Sequence, residues 1–212
     1  MAKGLKLGGE LGNILSSVLK GGHLVEIYGP SGVGKTQLLF TLSVEAINQN
    51  LGKVYFVDTR GTFRPERVAE IARSLGHDWH KVLSQIMVFH PTDLSSFLLS
   101  VEHLLSKPIF ILMIDTLSDP FYEGSDPSLR YKLGLLCRNI SLTCIERELL
   151  AIVTNGVRYH GILEPLGSEY TEPYVHFRIF INRDELGNGY AILEETNMKV
   201  RYEIGGGGII GR

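Results

Sequence analysis

Apolar residues along the chain follow two spacings, one typical of strands and one typical of helices. Short apolar runs predict strands at 23–28, 53–58, 85–89, 109–114 and 151–154. Between them, apolar residues recur at helical spacing and predict helices at 35–48, 65–76, 94–105 and 128–150. Strands that alternate with helices in this way predict an α/β fold with a mostly parallel central sheet and helices on both faces.

The two ends of the chain depart from this central pattern. Residues 1–20 have apolar side chains at helical spacing and predict a helical lead-in. Near the other end, alternation over 175–181 and further short strands at 190–193 and 200–204 predict an antiparallel C-terminal extension. The glycines that follow predict a flexible tail over 205–212. For a chain of 212 residues we expect a single domain spanning 1–212.

Composition narrows the classes of protein that fit. The chain is 44% hydrophobic and 21% charged, which excludes disorder along its whole length. A formal net charge of -2 excludes a strongly basic nucleic-acid wrap and leaves a local basic patch open. The longest apolar run is too short for a bilayer, and the N-terminus is unlike a signal peptide, so we expect a cytoplasmic protein. We expect Cys137 and Cys144 to be buried apolar residues.

A glycine-rich segment after the first predicted strand fits the phosphate-binding (Walker A) pattern G-x-x-x-x-G-K-[ST] at every fixed position. Its residues are Gly29, Pro30, Ser31, Gly32, Val33, Gly34, Lys35 and Thr36. Glycines let backbone N–H groups turn toward phosphate oxygens, Lys35 adds a positive charge, and the Thr36 hydroxyl is a ligand for Mg²⁺. The motif follows a strand and opens a helix, as it must, so the sequence predicts ATP and Mg²⁺ as cofactors. The alternative is a chance match in a glycine-rich chain.

Asp115 directly follows the apolar run 109–114. A carboxylate at the carboxyl end of a buried strand lies at the mouth of the sheet, where it can hold Mg²⁺ through water. We therefore predict Asp115 as a second metal residue beside Thr36. The alternative is that Asp115 only caps the turn that follows its strand.

Three segments resemble the RecA/RadA recombinase family. They are 34–37 (Gly-Lys-Thr-Gln), 58–67, and 114–116 (Ile-Asp-Thr), and within the second the string 61–67 is the most specific. The resemblance runs from about residue 22 to the C-terminus. It implies a RecA-like P-loop NTPase core that binds ATP and acts in DNA recombination and DNA repair. The chain resembles the ATPase core alone, like the archaeal RadB-type paralogues, without the family's N-terminal helical domain or filament-forming motif.

The resemblance also implies roles for residues beside the phosphate loop. Gln37 belongs to the nucleotide-binding set, and Arg67 would stack on the adenine, which suits a planar and weakly hydrated guanidinium. For Arg64, one helical turn earlier, a ligand role and a solvated basic edge are equally open.

Arg60 is the first departure from the family pattern. It stands where the recombinases have the glutamate that orients the attacking water. A guanidinium has no acceptor and stays charged, so it cannot take over that task. We name no catalytic residue and expect ATP to be bound well and hydrolysed slowly. The alternative is that Arg60 faces solvent and that Asp58 or Glu66 acts as the base.

Gly156 is the second departure. The family has a glutamine there that senses the γ-phosphate and relays its state to a DNA-binding loop. Glycine has no side chain for this relay, while Asn155 before it is predicted as a possible phosphate contact or sensor.

The segments that correspond to the family's two DNA-binding loops, about 119–128 and 157–173, are net acidic. The first holds Asp119, Glu123 and Asp126, and the second holds Arg158 and His160 against Glu164, Glu169 and Glu172. Since nucleic-acid affinity comes mostly from neutralising phosphates, we predict weak or partner-dependent DNA binding. Their tyrosines, Tyr122, Tyr159 and Tyr170, suit base stacking and protein interfaces equally.

The function expected from these observations is that of an ATP-binding recombinase paralogue. It would act as an accessory or mediator that binds a recombinase or a sister paralogue. The alternative is a DNA-dependent ATPase that acts directly on single-stranded DNA. A small-molecule kinase would need an arginine-rich lid, which 116–175 lacks, and a purely structural module would bind no ATP.

Overall fold

A computed structural model describes residues 3–122 and 128–211, which form an α/β fold with one large sheet and a separate hairpin. The helices in these ranges are α1 Gly9–Val18, α2 Lys35–Asn48, α3 Pro65–Ser74, α4 Trp79–Ser84, α5 Leu94–Leu105, α6 Ser128–Arg147 and α7 Ser168–Thr171. The strands are β1 Leu24–Tyr28, β2 Val54–Asp58, β3 Ile86–Phe89, β4 Ile111–Asp115, β5 Leu150–Asn155, β6 Val157–Tyr159, β7 Leu163–Pro165, β8 Phe177–Arg183, β9 Gly189–Leu193, β10 Met198–Gly205 and β11 Gly208–Gly211.

The large sheet has nine strands in the order β11-β10-β9-β8-β1-β5-β4-β2-β3. Neighbours from β8 to β3 run parallel, while β9, β10 and β11 are added antiparallel. The predicted parallel sheet with an antiparallel C-terminal extension is therefore confirmed. The carboxyl ends of the parallel strands meet at one edge, where Asp58 of β2 and Asp115 of β4 are paired in register.

The sheet separates two apolar cores. Residues from α1 to α4 pack on one face, and residues from α5 and α6 pack on the other. Strand β1 is buried along its whole length because both faces are covered, as is typical of a central parallel strand. Cys137 and Cys144 lie buried as free thiols in the second core, as expected, and burial raises the pKa of Cys144 to about 12. No helix in the described ranges is long and apolar enough to span a bilayer.

The prediction of a flexible tail over 205–212 is wrong for the residues up to 211. Gly208–Gly211 form β11, which pairs with β10, and Ile209 is only 2% exposed. The backbone N–H of Ile209 donates to Thr41 Oγ1 of α2 at 3.0 Å. Gly208 has φ +85°, and a Cβ there would lie 2.1 Å from Thr41 Oγ1. The glycines therefore serve a tight turn and a close approach to α2. Arg212 lies outside the described residues.

The segment 157–173, which corresponds to the second DNA-binding loop of the family, has regular secondary structure over much of its length. It contains the hairpin of β6 and β7, followed by the short helix α7. Helix α4 is another element that the sequence pattern does not predict, and its N-cap is Asp78, whose side chain accepts from the backbone N–H groups of His80 and Lys81. These elements are short, so they carry too few apolar repeats to be recognised by spacing.

Candidate nucleotide-binding site

The segment Gly29–Thr36 forms a loop between the end of β1 and the start of α2. Gly32 and Gly34 have φ of +80° and +113°, which L side chains rarely adopt. A Cβ at Gly29 would lie 2.0 Å from the carbonyl oxygen of Ile181 in β8. The glycines are therefore required by both the loop's curvature and its packing, as a phosphate cradle at a helix N-terminus demands.

A cavity of about 350 Å³ opens beside this loop. Most residues of 31–37 line it, together with Arg60, Thr62, Asp115, Thr116 and Ile204. The loop, the end of β4 and the turn after β2 thus meet at one place, at the carboxyl edge of the sheet where ligands bind in open α/β folds. The structure brings Ser31, Lys35, Thr36, Gln37 and Asp115 together, as the sequence predicts.

The Lys35 ammonium folds back over the loop. Its Nζ donates to the carbonyl oxygens of Gly29 at 2.7 Å and Pro30 at 2.8 Å. Burial lowers the pKa of Lys35, and the nearby Asp115 carboxylate opposes that shift while Arg60 adds to it. The side chain lies at the rim of the loop, where it can turn toward an anion in the cavity.

Asp115 and Thr36 form the pair that fits a magnesium ion. Thr36 Oγ1 donates to Asp115 Oδ2 at 2.6 Å, and Thr154 Oγ1 of β5 donates to Asp115 Oδ1. Burial raises the pKa of Asp115, and the charge of Asp58 adds to that shift, whereas the two threonine hydroxyls oppose it. In the described ranges no group of three or more His, Cys, Asp or Glu side chains suits a metal. One carboxylate and one hydroxyl suit Mg²⁺, which usually keeps waters and phosphate oxygens as further ligands.

The carboxylate of Asp58, the alternative base, accepts hydrogen bonds from backbone N–H groups of the turn that follows β2. Its Oδ1 accepts from the backbone N–H groups of Arg60 at 3.2 Å and Thr62 at 3.1 Å, and Oδ2 accepts from that of Phe63 at 2.8 Å. The side chain is buried. Because its oxygens hold backbone amides, Asp58 is poorly placed to accept a proton from water.

Arg60 lines the cavity and makes an ion pair that the sequence does not reveal. Its Nε lies 3.3 Å from Asp119 Oδ2, with the two side chains 56% and 31% exposed. Asp119 belongs to a short 3-10 turn, Asp119–Phe121, that follows β4. Arg60 of the turn after β2 is thus paired with a carboxylate of the turn after the neighbouring strand β4. Glu123 and Asp126, named with Asp119 in the first acidic segment, lie outside the described residues.

Arg67 lies next to Gln37 at the margin of the cavity. Its Nε donates to Gln37 Oε1 at 2.7 Å, Nη1 lies 2.7 Å from Glu70 Oε2, and Nη2 donates to the carbonyl oxygen of Gly205. These contacts use the edge of the guanidinium and leave stacking on its flat face geometrically possible. Adenine stacking by Arg67 stays a prediction. Arg64, by contrast, is exposed, and its Nη1 donates to the carbonyl oxygens of Gly61 and Phe63 in its own turn.

Asn155 is engaged in a buried polar network that the sequence does not predict. Its Nδ2 donates to Glu26 Oε1 at 2.8 Å and to the Leu166 carbonyl oxygen at 3.0 Å, and its Oδ1 accepts from Ser118. Glu26 is fully buried and pairs with Arg178 at 2.9 Å. Burial raises the pKa of Glu26, opposed chiefly by the Arg178 charge. A charged residue inside an apolar strand is the signal for such a network, and the sensor role of Asn155 stays a prediction.

The hairpin of β6 and β7 carries an arginine whose charge is already balanced. Arg158 Nη2 lies 2.8 Å from Glu169 Oε2 and 3.6 Å from Glu164 Oε2. Tyr159 and Ile162, near the tip, are 72% and 65% exposed. The hairpin therefore presents apolar and aromatic side chains, while its arginine is held by two carboxylates.

Comparison with known proteins identifies the family that this chain resembles. The family model for Rad51 matches residues 5–133, more than half of the chain. The chain is 29% identical over 196 residues to the DNA repair and recombination protein RadB of Pyrococcus furiosus, covering 89% of this chain and 84% of that protein. The RadB proteins of Thermococcus sibiricus (26% over 212 residues, 94% and 91% covered) and Pyrococcus horikoshii (35% over 143 residues, 65% and 59% covered) are also similar. The resemblance seen at 34–37, 58–67 and 114–116 is thereby confirmed.

The buried charge of Asp115 predicts a pH-dependent stability. Because its pKa is raised on folding, the folded protein holds this proton more tightly than the unfolded chain. Wild-type stability should therefore decline as pH rises from the ordinary aspartate range through the raised pKa. Asp115→Asn removes this decline, and the threonine hydroxyls can still bond to the amide. Calorimetric melting without divalent ions, between about pH 4 and 8, should show a Tm advantage of the variant that grows with pH to a few degrees.

The matched control is Asp119→Asn, which removes a carboxylate of the same region that is less buried. It should change Tm little across the same pH series. An Asp115→Asn variant that melts below the wild type at every pH would show that the carboxylate stabilises the metal-free fold.

Proposed function

The chain belongs to the Rad51 family, and on that premise we propose that it is an ATP-binding recombinase paralogue in DNA recombination and repair. The relatives named RadB support that role. One observation carries the nucleotide part of the proposal: the glycine loop, Lys35 and the Thr36–Asp115 pair converge on a single cavity at the carboxyl edge of the sheet. These are the elements that a triphosphate with Mg²⁺ requires.

In this proposal, different residues around the cavity would bind the phosphates, the Mg²⁺ and the base. The backbone N–H groups of 29–36 and the N-terminus of α2 would cradle the phosphates, and Lys35 would leave the Gly29 and Pro30 carbonyls to meet them. Thr36 and Asp115 would hold Mg²⁺, which neutralises phosphate charge. Gln37, which lines the cavity, and Arg67, which is hydrogen-bonded to it, would contact the base.

We further propose that hydrolysis is slow. Arg60 lines the cavity and, by the resemblance, stands where the family has its glutamate, while Asp58 is bound to three backbone amides. Glu66 is exposed on the first turn of α3 and does not line the cavity. A positive side chain can hold a γ-phosphate but cannot accept a proton from water. ATP would then act as a ligand that favours one assembly state, with the protein serving as an accessory to a recombinase or a sister paralogue.

Turnover of the wild type and of Arg60→Glu tests this directly. The wild type should hydrolyse ATP at a barely measurable rate, and Arg60→Glu should raise kcat by about tenfold or more, because a positioned general base contributes on the order of 10²–10⁴-fold. The charge-matched control is Arg138→Glu, an exposed arginine of α6, which should leave turnover unchanged. A brisk wild-type rate that Arg60→Glu leaves unaltered would contradict slow hydrolysis.

Direct DNA binding should be weak because the hairpin arginine is neutralised. We expect wild-type affinity for single-stranded DNA to be weaker than micromolar at physiological salt. Replacing both of its partners, Glu164→Gln with Glu169→Gln, should free Arg158 and tighten binding by roughly fivefold, with a steeper salt dependence. Fluorescence anisotropy with a labelled oligonucleotide measures both the affinity and its salt dependence.

The control for that experiment removes two negative charges elsewhere, with Glu102→Gln and Glu185→Gln on exposed positions of α5 and the β8–β9 turn. A general charge effect would change both double variants equally. Submicromolar binding by the wild type would instead favour the DNA-dependent ATPase.

A further inference from the structure

The C-terminal extension reaches the phosphate loop through one buried hydroxyl. Tyr202 of β10 is 2% exposed, and its OH donates to the carbonyl oxygen of Val33 at 2.6 Å. Val33 lies in the middle of the loop and is itself buried. A contact between residues 169 positions apart links the last strands of the sheet to the loop after the first.

A glycine on the neighbouring strand makes room for this contact. Tyr202 is paired in register with Gly189 of β9, and a Cβ at Gly189 would lie 2.4 Å from Tyr202 Cε2. The ring therefore lies flat over the glycine, which is where it must lie for the hydroxyl to reach Val33. Any larger residue at 189 would push the ring away from the loop.

The hydrogen bond sets the direction of a peptide group that faces the cavity. In a trans peptide the C=O of one residue and the N–H of the next point in opposite directions. With the Val33 carbonyl held toward Tyr202 in the core, the Gly34 N–H is directed the other way. Gly34 lines the cavity, so we infer that this N–H would be available to phosphate oxygens bound there.

Two further contacts tie the same strand to the nucleotide site. Ile204 Cδ1 lies 2.7 Å from where a Cβ of Gly34 would be, and Ile204 also lines the cavity. The Gly205 carbonyl accepts a hydrogen bond from Arg67. Residues 202, 204 and 205 thus touch the loop and the residue predicted to stack on the base.

We propose that Tyr202 is a positioning residue of the nucleotide site, which fixes the Val33–Gly34 peptide for phosphate binding and couples nucleotide occupancy to the order of the C-terminal hairpin of β10 and β11. The proposal rests on the proposed binding of ATP. Burial raises the pKa of Tyr202 to about 12, so the hydroxyl remains a donor at every pH at which the protein would work. In this proposal the hairpin of β10 and β11 belongs to the binding site, although it lies C-terminal to every sequence motif of that site.

The test compares Tyr202→Phe, which removes one oxygen and keeps the ring, with the wild type. Loss of a buried hydrogen bond should raise the Kd for Mg·ATP by about three- to tenfold. The affinity for adenosine, measured by competition, should stay within about twofold, because the Gly34 N–H meets only phosphates. If Tyr202 contributed only to stability, Tyr202→Phe would change the affinities for Mg·ATP and adenosine to the same extent. Tyr190→Phe, on the strand position next to Gly189, loses the same group outside the site and should behave as the wild type.

Hydrogen–deuterium exchange of the wild type gives a second readout that needs no variant. Mg·ATP should slow exchange of the amides in 202–211 as well as in 29–36, and Tyr202→Phe should reduce the effect in 202–211. Equal Kd values for Mg·ATP in wild type and Tyr202→Phe, or unchanged exchange in the hairpin while the loop is protected, would overturn the positioning role alone. A wild type that binds no Mg·ATP would overturn this proposal together with the proposed function.

Discussion

The close packing of the phosphate loop against β8 and β10 is the constraint on which the rest of the site depends. A side chain at Gly29 would collide with the backbone of Ile181, and one at Gly34 would collide with Ile204. The loop is therefore packed so closely at these two positions that only glycine fits, and this packing restricts its backbone in the absence of a ligand. A preorganised anion cradle binds without the cost of ordering its backbone. The antiparallel extension, which looks like a peripheral addition in the topology, contributes Ile204 to the lining of the cavity beside this loop.

Binding and hydrolysis of a triphosphate would make different demands on the same cavity. For binding, Thr36 donates a hydrogen bond to Asp115, the pair proposed to hold a metal, and the charge of Asp115 acts on Lys35. Hydrolysis would additionally need a proton acceptor beside the attacking water, and here Arg60 lines the cavity without an acceptor atom while the Asp119 carboxylate is engaged in an ion pair with it. Such a site would retain a triphosphate instead of consuming it, which suits a protein whose assembly depends on its bound nucleotide.

The parts of this description that follow from the sequence are those with local signals. The segment 29–36, helix α2 and Asp115 at a strand end are recognisable because glycine spacing, apolar periodicity and strand ends are properties of neighbouring residues. The Glu26–Arg178 pair, the Arg60–Asp119 pair and strand β11 join segments that lie far apart in the chain, and no local pattern encodes their pairing. The glycines at 205–208 led to the wrong prediction of a flexible tail, because a close approach to α2 and a flexible segment both favour glycine.

Titration calorimetry of Mg·ATP into the folded protein and into Lys35→Ala tests the central claim most directly. The account predicts saturable binding of one nucleotide per chain by the wild type, and a loss of affinity of at least about tenfold in the variant, because a half-buried positive charge that would pair with phosphate is removed. Folded wild-type protein that gives no saturable heat with Mg·ATP, or a Lys35→Ala variant that binds it equally well, would contradict the claim that residues 29–36 hold a triphosphate.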